Sequence, residues 1–177
     1  MKKLLFTLTF LTLGYTVLPA QKADRIIVNV LSQEVTIGTM KTTISTSIDD
    51  VIKYLGEPER KETIAGKERI FAYDKLGIAF DIGNGTKKTV EGISVTYVAD
   101  DDRKVAKGGF NGDLLIDNLK ISATMKPKDI QAKTKFGNIE CFSAMCASNP
   151  KAKGLMLILS YTSPEQIEIG QIGFGFK

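Results

Sequence analysis

The chain has 177 residues, with 24 Lys and Arg against 20 Asp and Glu, two cysteines, and neither histidine nor tryptophan. Without histidine it lacks the commonest general base, the commonest metal ligand and the usual activator of a nucleophile, which excludes Ser-His-Asp and Cys-His machinery. A net charge of +4 with arginine only at 25, 60, 69 and 103 gives no dense basic stripe to follow a phosphate backbone, so no nucleic acid partner is expected.

The N-terminus carries Lys2 and Lys3, then an apolar run from Leu4 to Leu13 broken only by threonines, then Val17-Leu18-Pro19-Ala20. Charge, apolar core and small residue in that order predict a cleavable signal peptide over 1–20, cut after Ala20. The run is shorter than the roughly 20 residues of a membrane-spanning helix, and nothing later is apolar enough to span. The expected product is a periplasmic or secreted protein without a transmembrane segment. Cleavage removes two lysines and no acid, lowering the net charge from +4 to +2, and 177 less 20 leaves 157 residues.

The segment 25–99 opens with Ile26, Val28 and Val30 alternating with Ile27 and Asn29, and continues into Glu34 to Ile44, β-branched stretches that predict strands. Thr46 or Ser47 offers an N-cap oxygen, and Asp49 and Asp50 favour the first helical turn. Ile48, Val51, Ile52 and Leu55 form one apolar stripe, and Gly56 with Pro58 stops it, so a short helix is expected at 47–55. Glu57 to Glu68 reads as a loop. Strands follow at Arg69 to Tyr73, Gly77 to Ile82 and Gly92 to Val98, with a turn at Gly83-Asn84-Gly85.

Residues 100–109, with Asp100-Asp101-Asp102-Arg103-Lys104 and Gly108-Gly109, read as a solvated linker rather than a calcium loop, since no flanking oxygen ligands follow loop spacing. In 110–177, Phe110 to Ser122 supplies opening strands. Pro127 starts a helix over Lys128 to Phe136, closed by Gly137-Asn138. Asn138 to Pro150 reads as a loop, and Leu155 to Tyr161 and Ile167 to Phe176 close the segment as strands. Cys141 and Cys146 lie in that loop, and their spacing predicts a structural disulfide rather than a tighter redox pair.

Val35–Lys41 aligns with Leu114–Lys120 at an offset of 79, as do Asp50-Val51 with Asp129-Ile130 and Ile93–Tyr97 with Ile172–Phe176, while Leu76–Phe80 aligns with Lys153–Leu157 at 77. Three blocks at one offset and a fourth at nearly the same one, all in one order, point to internal duplication. The expected fold class is α+β: two tandem repeats, each an antiparallel sheet with one short helix. Each is too small to bury a core alone, so they must pack together edge to edge or face to face.

Asp49-Asp50 and Glu57 with Glu59 read as dipole and surface charge rather than an acid–base pair. Gly170–Gly175 has no following helix to present amides, so it reads as a strand rather than a phosphate loop. Phe110, Phe142, Phe174 and Phe176 are expected in the core. No metal or cofactor is expected.

Leu55-Gly56-Glu57-Pro58, Tyr73 and Leu76-Gly77-Ile78 resemble the helix-plus-three-strand pattern of BamE-like (SmpA/OmlA) envelope domains. The tandem arrangement resembles β-lactamase-inhibitor-type proteins, and the chain is also similar to uncharacterised secreted domain families of Bacteroidetes-type bacteria. The resemblance implies binding to another envelope or secreted protein through sheets and loops. The expected function is a non-enzymatic protein-binding or envelope accessory module using a sheet face and the two post-helix loops. Glu57, Arg60, Phe142 and Met145 are the candidate partner contacts. The alternative is a small-ligand carrier, or a histidine-independent hydrolase, with a cleft between the repeats.

Overall fold

The computed structural model describes residues 23–83, 85, 87–148 and 154–176; the expected signal peptide and Asn84 of the expected turn lie outside them. Thirteen strands and two short helices make up the described part, an α+β fold dominated by strands. Strands β1 (Arg25–Asn29), β2 (Glu34–Ile37) and β3 (Met40–Thr42) come first. Ile26, Val28, Val35 and Ile37 are fully buried, as alternation requires of strands with one face on a core. The single long strand expected over 34–44 is broken after Ile37 by Gly38, whose φ of 59° turns the chain back.

Helix α1 (Ile48–Leu55) forms where its stripe and cap predict. Ser47 is the N-cap. Its Oγ accepts the Asp50 N–H, and an Asp50 carboxylate oxygen accepts the Ser47 N–H in return, a capping box. The Ser47 hydroxyl also donates to that carboxylate at 2.6 Å, and this bond with the Ser47 N–H holds the Asp50 carboxyl below the usual carboxylate range. Gly56, at φ 93°, ends the helix and donates to the Ile52 carbonyl at 2.8 Å.

After α1 the chain runs through β4 (Arg60–Ile64), β5 (Lys67–Tyr73), β6 (Ile78–Ile82) and β7 (Val90–Thr96) as an antiparallel meander. The stretch 57–68 is therefore not a loop, as expected, but carries β4 and the start of β5. Next come β8 (Asp113–Ile116), β9 (Leu119–Lys120), α2 (Pro127–Lys133), β10 (Ile139–Phe142), β11 (Met145–Ser148), β12 (Met156–Tyr161) and β13 (Ile169–Gly175). The expected loop at 138–150 is likewise a hairpin, with 149 and 150 outside the described residues. Helix α2 stops at Lys133 rather than Phe136, because Thr134 turns extended and bonds back to the Ile130 carbonyl.

Two sheets result. One has five strands in the order β3-β2-β1-β8-β9, with β1 and β8 parallel. The other has eight in the order β10-β11-β12-β13-β7-β6-β5-β4. Segments 25–99 and 110–177 thus join edge to edge in both sheets, through β1–β8 and through the antiparallel pair β7–β13. One continuous core, containing Phe80, Ile93, Ile172, Phe174 and the buried faces of both helices, draws on both sheets. Gly173 and Gly175 alternate with Ile172 and Phe174, so this glycine run is a central strand with an apolar inner face.

The turn between β8 and β9 ties distant elements together. Asp117 and Asn118 both have positive φ, 46° and 70°, as a two-residue hairpin turn of this hand demands. The Asp117 carboxylate accepts the Val30 N–H at 3.1 Å and the Lys135 N–H at 2.7 Å, linking the end of β1 to the end of α2. Asp117→Gly keeps the positive φ accessible but removes both bonds. It should cost about 2 kcal/mol in urea unfolding, with an unchanged m-value.

Candidate functional site

Pairing registers place Arg60, Ala72, Ala79, Ser94, Gly173, Ile158, Ala147 and Glu140 in one row across all eight strands. The parity of this row is opposite to that of Phe80, Ile93, Ile172 and Leu159, which enter the core, so the row marks the sheet's outer face. That face carries the site, and its two ends differ.

At the β10–β11 end, Cys141 and Cys146 are directly opposite in the ladder and joined by a disulfide. They share the parity of the core-facing residues; Cys146 is fully buried, while Cys141 on the edge strand is exposed. Their neighbours Phe142 and Met145 therefore point outward, 88% and 58% exposed. Closing so small a loop stabilises the hairpin by roughly 2 kcal/mol through the unfolded chain. Further bonds hold it from behind. Gln131 accepts the Ile139 N–H at 2.9 Å, and the Tyr161 N–H donates to the Ala144 carbonyl at 2.8 Å. The Tyr161 hydroxyl donates to the Met125 carbonyl at 3.0 Å, and burial pushes its pKa up to about 12. A hollow of about 610 Å³ lies on the outer side, lined by Phe142, Met145, Ala147, Ser160 and Tyr161.

At the β4–β6 end the outer face is covered. Ile70, Ala72 and Ala79 form a second apolar cluster, each no more than 2% exposed. The segment 102–107 runs over this end as a strap: Asp102, Arg103 and Lys104 lie beside Ile64 and Ile70, and Val105 and Ala106 are buried. Arg60 fastens this strap. Its Nη1 donates to the Arg103 carbonyl at 2.8 Å and its Nη2 to the Val105 carbonyl at 2.6 Å. Asp74 orients the guanidinium through two bonds, at 3.2 and 3.1 Å, and also accepts the Lys107 N–H at 2.8 Å. Burial alone would raise the Asp74 carboxyl, but Arg60 and the Lys107 N–H outweigh it and hold it below the usual range.

The four candidate contacts thus fall in different settings. Phe142 and Met145 stand together on the hairpin, and Phe142 is not in the core as expected, because edge strand β10 leaves its outer side uncovered. Glu57 is an exposed partner of Lys61 at 3.3 Å. Arg60 is not a free contact: its guanidinium is spent on Asp74, Glu62 and the strap. It sits on β4, the opposite edge of the sheet from β10.

The charged run 100–104 of the expected linker is exposed, as a solvated segment should be, while Val105 and Ala106 after it are buried. Asp100 and Asp102 accept the Asp102 and Lys104 N–H groups, and Asp100 also accepts from Gln171 at 2.7 Å. Among the described residues no three Cys, Asp or Glu side chains gather as a metal site. No described helix is long and apolar enough to cross a membrane. The joint between the segments is a ladder, and over it lies a shallow groove of about 330 Å³ floored by Gly92, Ser94, Gly173 and Gly175.

Sequence reasoning missed the strap and its clamp. The only signal was Val105-Ala106, an apolar pair inside a charged run. Arg60→Gln should free the strap and speed tryptic cleavage after Arg103, Lys104 or Lys107 by at least about tenfold, a loss of about 1.4 kcal/mol or more of local stability. Because Asp74 has a depressed folded pKa, its contribution is present above the ordinary carboxylate pKa of about 4 and fades as pH falls through the folded value. Asp74→Asn should flatten that part of the acid unfolding curve.

Among curated proteins none matches this chain. Of solved structures, the crystal structure of a DUF4309 family protein (YjgB) from Bacillus subtilis subsp. subtilis str. 168 is similar, with 14% identity, a TM-score of 0.47, and 82% of this chain and 89% of that chain covered. Residues 27–131, more than half of the chain and running from β1 into α2, match the family described as Domain of unknown function (DUF7738), and the chain belongs to that family.

Proposed function

We propose that this protein is an exported, non-enzymatic protein-binding module that acts through the outer face of its eight-stranded sheet and the disulfide-bonded β10–β11 hairpin. The observation that carries this reading is the hairpin itself. Phe142 and Met145 are large, apolar and exposed, yet sit on a strand pair stiffened by a disulfide and braced by Gln131 and Tyr161. Exposed apolar side chains on a rigid support lose little entropy on binding, which suits a recognition element. The disulfide favours an oxidising compartment, in line with the signal-peptide pattern over 1–20. The likeness of Leu55-Gly56-Glu57-Pro58 to BamE-like domains adds to the envelope reading.

Duplication is part of the same reading. The eight-strand order runs β7-β6-β5-β4 on one side of the central pair and β13-β12-β11-β10 on the other, and each side follows a helix. Ser94 and Gly173, which pair at the centre, differ by the same 79 residues as the sequence blocks. Both features support two copies arranged about a pseudo-twofold axis through that pair.

In envelope or medium fractions the protein should have the mass of residues 21–177. Immobilised as bait, it should retain partners that Phe142→Asp and Met145→Asp lose, while Glu57→Lys retains them, with all variants melting within a few degrees of the parent. Equal retention by all four proteins would defeat the reading.

A further inference from the structure

We infer that the outer face of β10–β12 receives an extended peptide segment of a partner protein, with small apolar side chains flanked by a basic residue, laid across it as the strap 102–107 is laid across β4–β6. This rests on the protein-binding reading above and names the partner's chemistry.

The two ends of one row share a floor and differ in what lies beside it. From the central Ser94–Gly173 pair outward, one side reads Ala79, Ala72, Arg60 and the other Ile158, Ala147, Glu140. Both sides have a small or apolar floor, as a backbone lying close above a sheet requires. On the first side that floor is at most 2% exposed, and the strap held by Arg60 runs beside it. On the second, Ala147 and Ile158 are half-buried, Met145 and Phe142 stand open, and a hollow of about 610 Å³ is bounded by Glu140, Phe142, Met145 and Ala147. The chain therefore contains an occupied and a vacant version of the same kind of surface.

Charge selects the occupant. Where Arg60 donates to strap carbonyls, the corresponding end of the row carries Glu140, which can only accept. Glu140 takes one hydrogen bond from the Asn138 amide at 3.1 Å and has no ion-pair partner among the described residues. It thus favours a cation on the peptide, and a second copy would bring its own Glu140 and no such cation from this patch. The surface is also continuous with the covered one. Lys104 of the strap lines the groove over the central pair together with Met156 and Ile158, so the groove leads from the strap's flank onto the open floor.

The strap's own sequence supplies the probe, since Asp102–Lys107 places Val105-Ala106 between basic residues. Full-length mature protein, 15N-labelled, is titrated with the capped peptide DRKVAK and with its charge-reversed form DEEVAE. The basic peptide should give saturable shifts at the Glu140, Ala147, Ile158 and Ser160 amides. Affinity should fall at least tenfold for DEEVAE, or for DRKVAK with Glu140→Lys, and DEEVAE should recover binding to Glu140→Lys.

No saturable shift with either peptide would overturn the inference. So would shifts confined to β4–β6, or the same amides shifting with protein concentration alone, which would assign the face to a second copy. If Phe142→Asp abolishes partner retention while neither peptide binds, this inference fails and the binding-module reading stands. If retention is also unaffected, both fail.

Discussion

The ladder between β7 and β13, from Thr96–Gln171 to Gly92–Gly175, is the interaction on which the rest of the structure depends. Neither four-stranded half could bury its inner face under one short helix. Pairing the two last strands makes one wide sheet, whose inner residues, Ile93 and Val95 beside Ile172 and Phe174, become the floor of a shared core. The five-stranded sheet, with Ile26, Val28, Leu114 and Ile116 buried, packs into the same core. The parallel β1–β8 pairing repeats the joint in that sheet, and Asp117 locks it to α2.

A sheet this wide has two edges and an outer face, and each is a hazard unless managed. At the β4 edge the chain uses charge, a register shift at Glu62/Thr63, and the Arg60–Asp74 clamp, which turns the connection between the segments into a cover. At the β10 edge it does not. A disulfide stiffens the strand pair there, but Phe142 and Met145 are exposed, with no described segment over them. An uncovered apolar face beside a covered one in the same molecule is the physical reason for placing recognition at the second.

Much of this was legible in the residues. The apolar stripe Ile48, Val51, Ile52, Leu55 with Ser47 before it and Gly56 after it specified α1 because helix signals are local. The alternation in Arg25–Asn29 and Ile93–Val95 specified strands for the same reason. Strands β4 and β10 were illegible, since Arg60-Lys61-Glu62-Thr63-Ile64 and Ile139-Glu140-Cys141-Phe142 show no apolar period and form by pairing with β5 and β11. On the proposed duplication, the alignment of Leu76–Phe80 at an offset of 77 is two residues out of step with the strand registers. Ala79 and Ile158, which flank the central pair, differ by 79, so the length difference lies in the preceding hairpin connections. The strap was hidden because Arg60 fastens it through backbone carbonyls, which no side-chain pattern announces.

The β7–β13 pairing makes the two segments one cooperative unit. Native-state hydrogen exchange on the intact chain tests it most directly. The amides of Ile93, Val95, Ile172 and Phe174 should be among the slowest to exchange and should share one opening free energy, equal to that of global unfolding. Two separate opening energies, one for residues 25–99 and a lower one for 110–177, would contradict it.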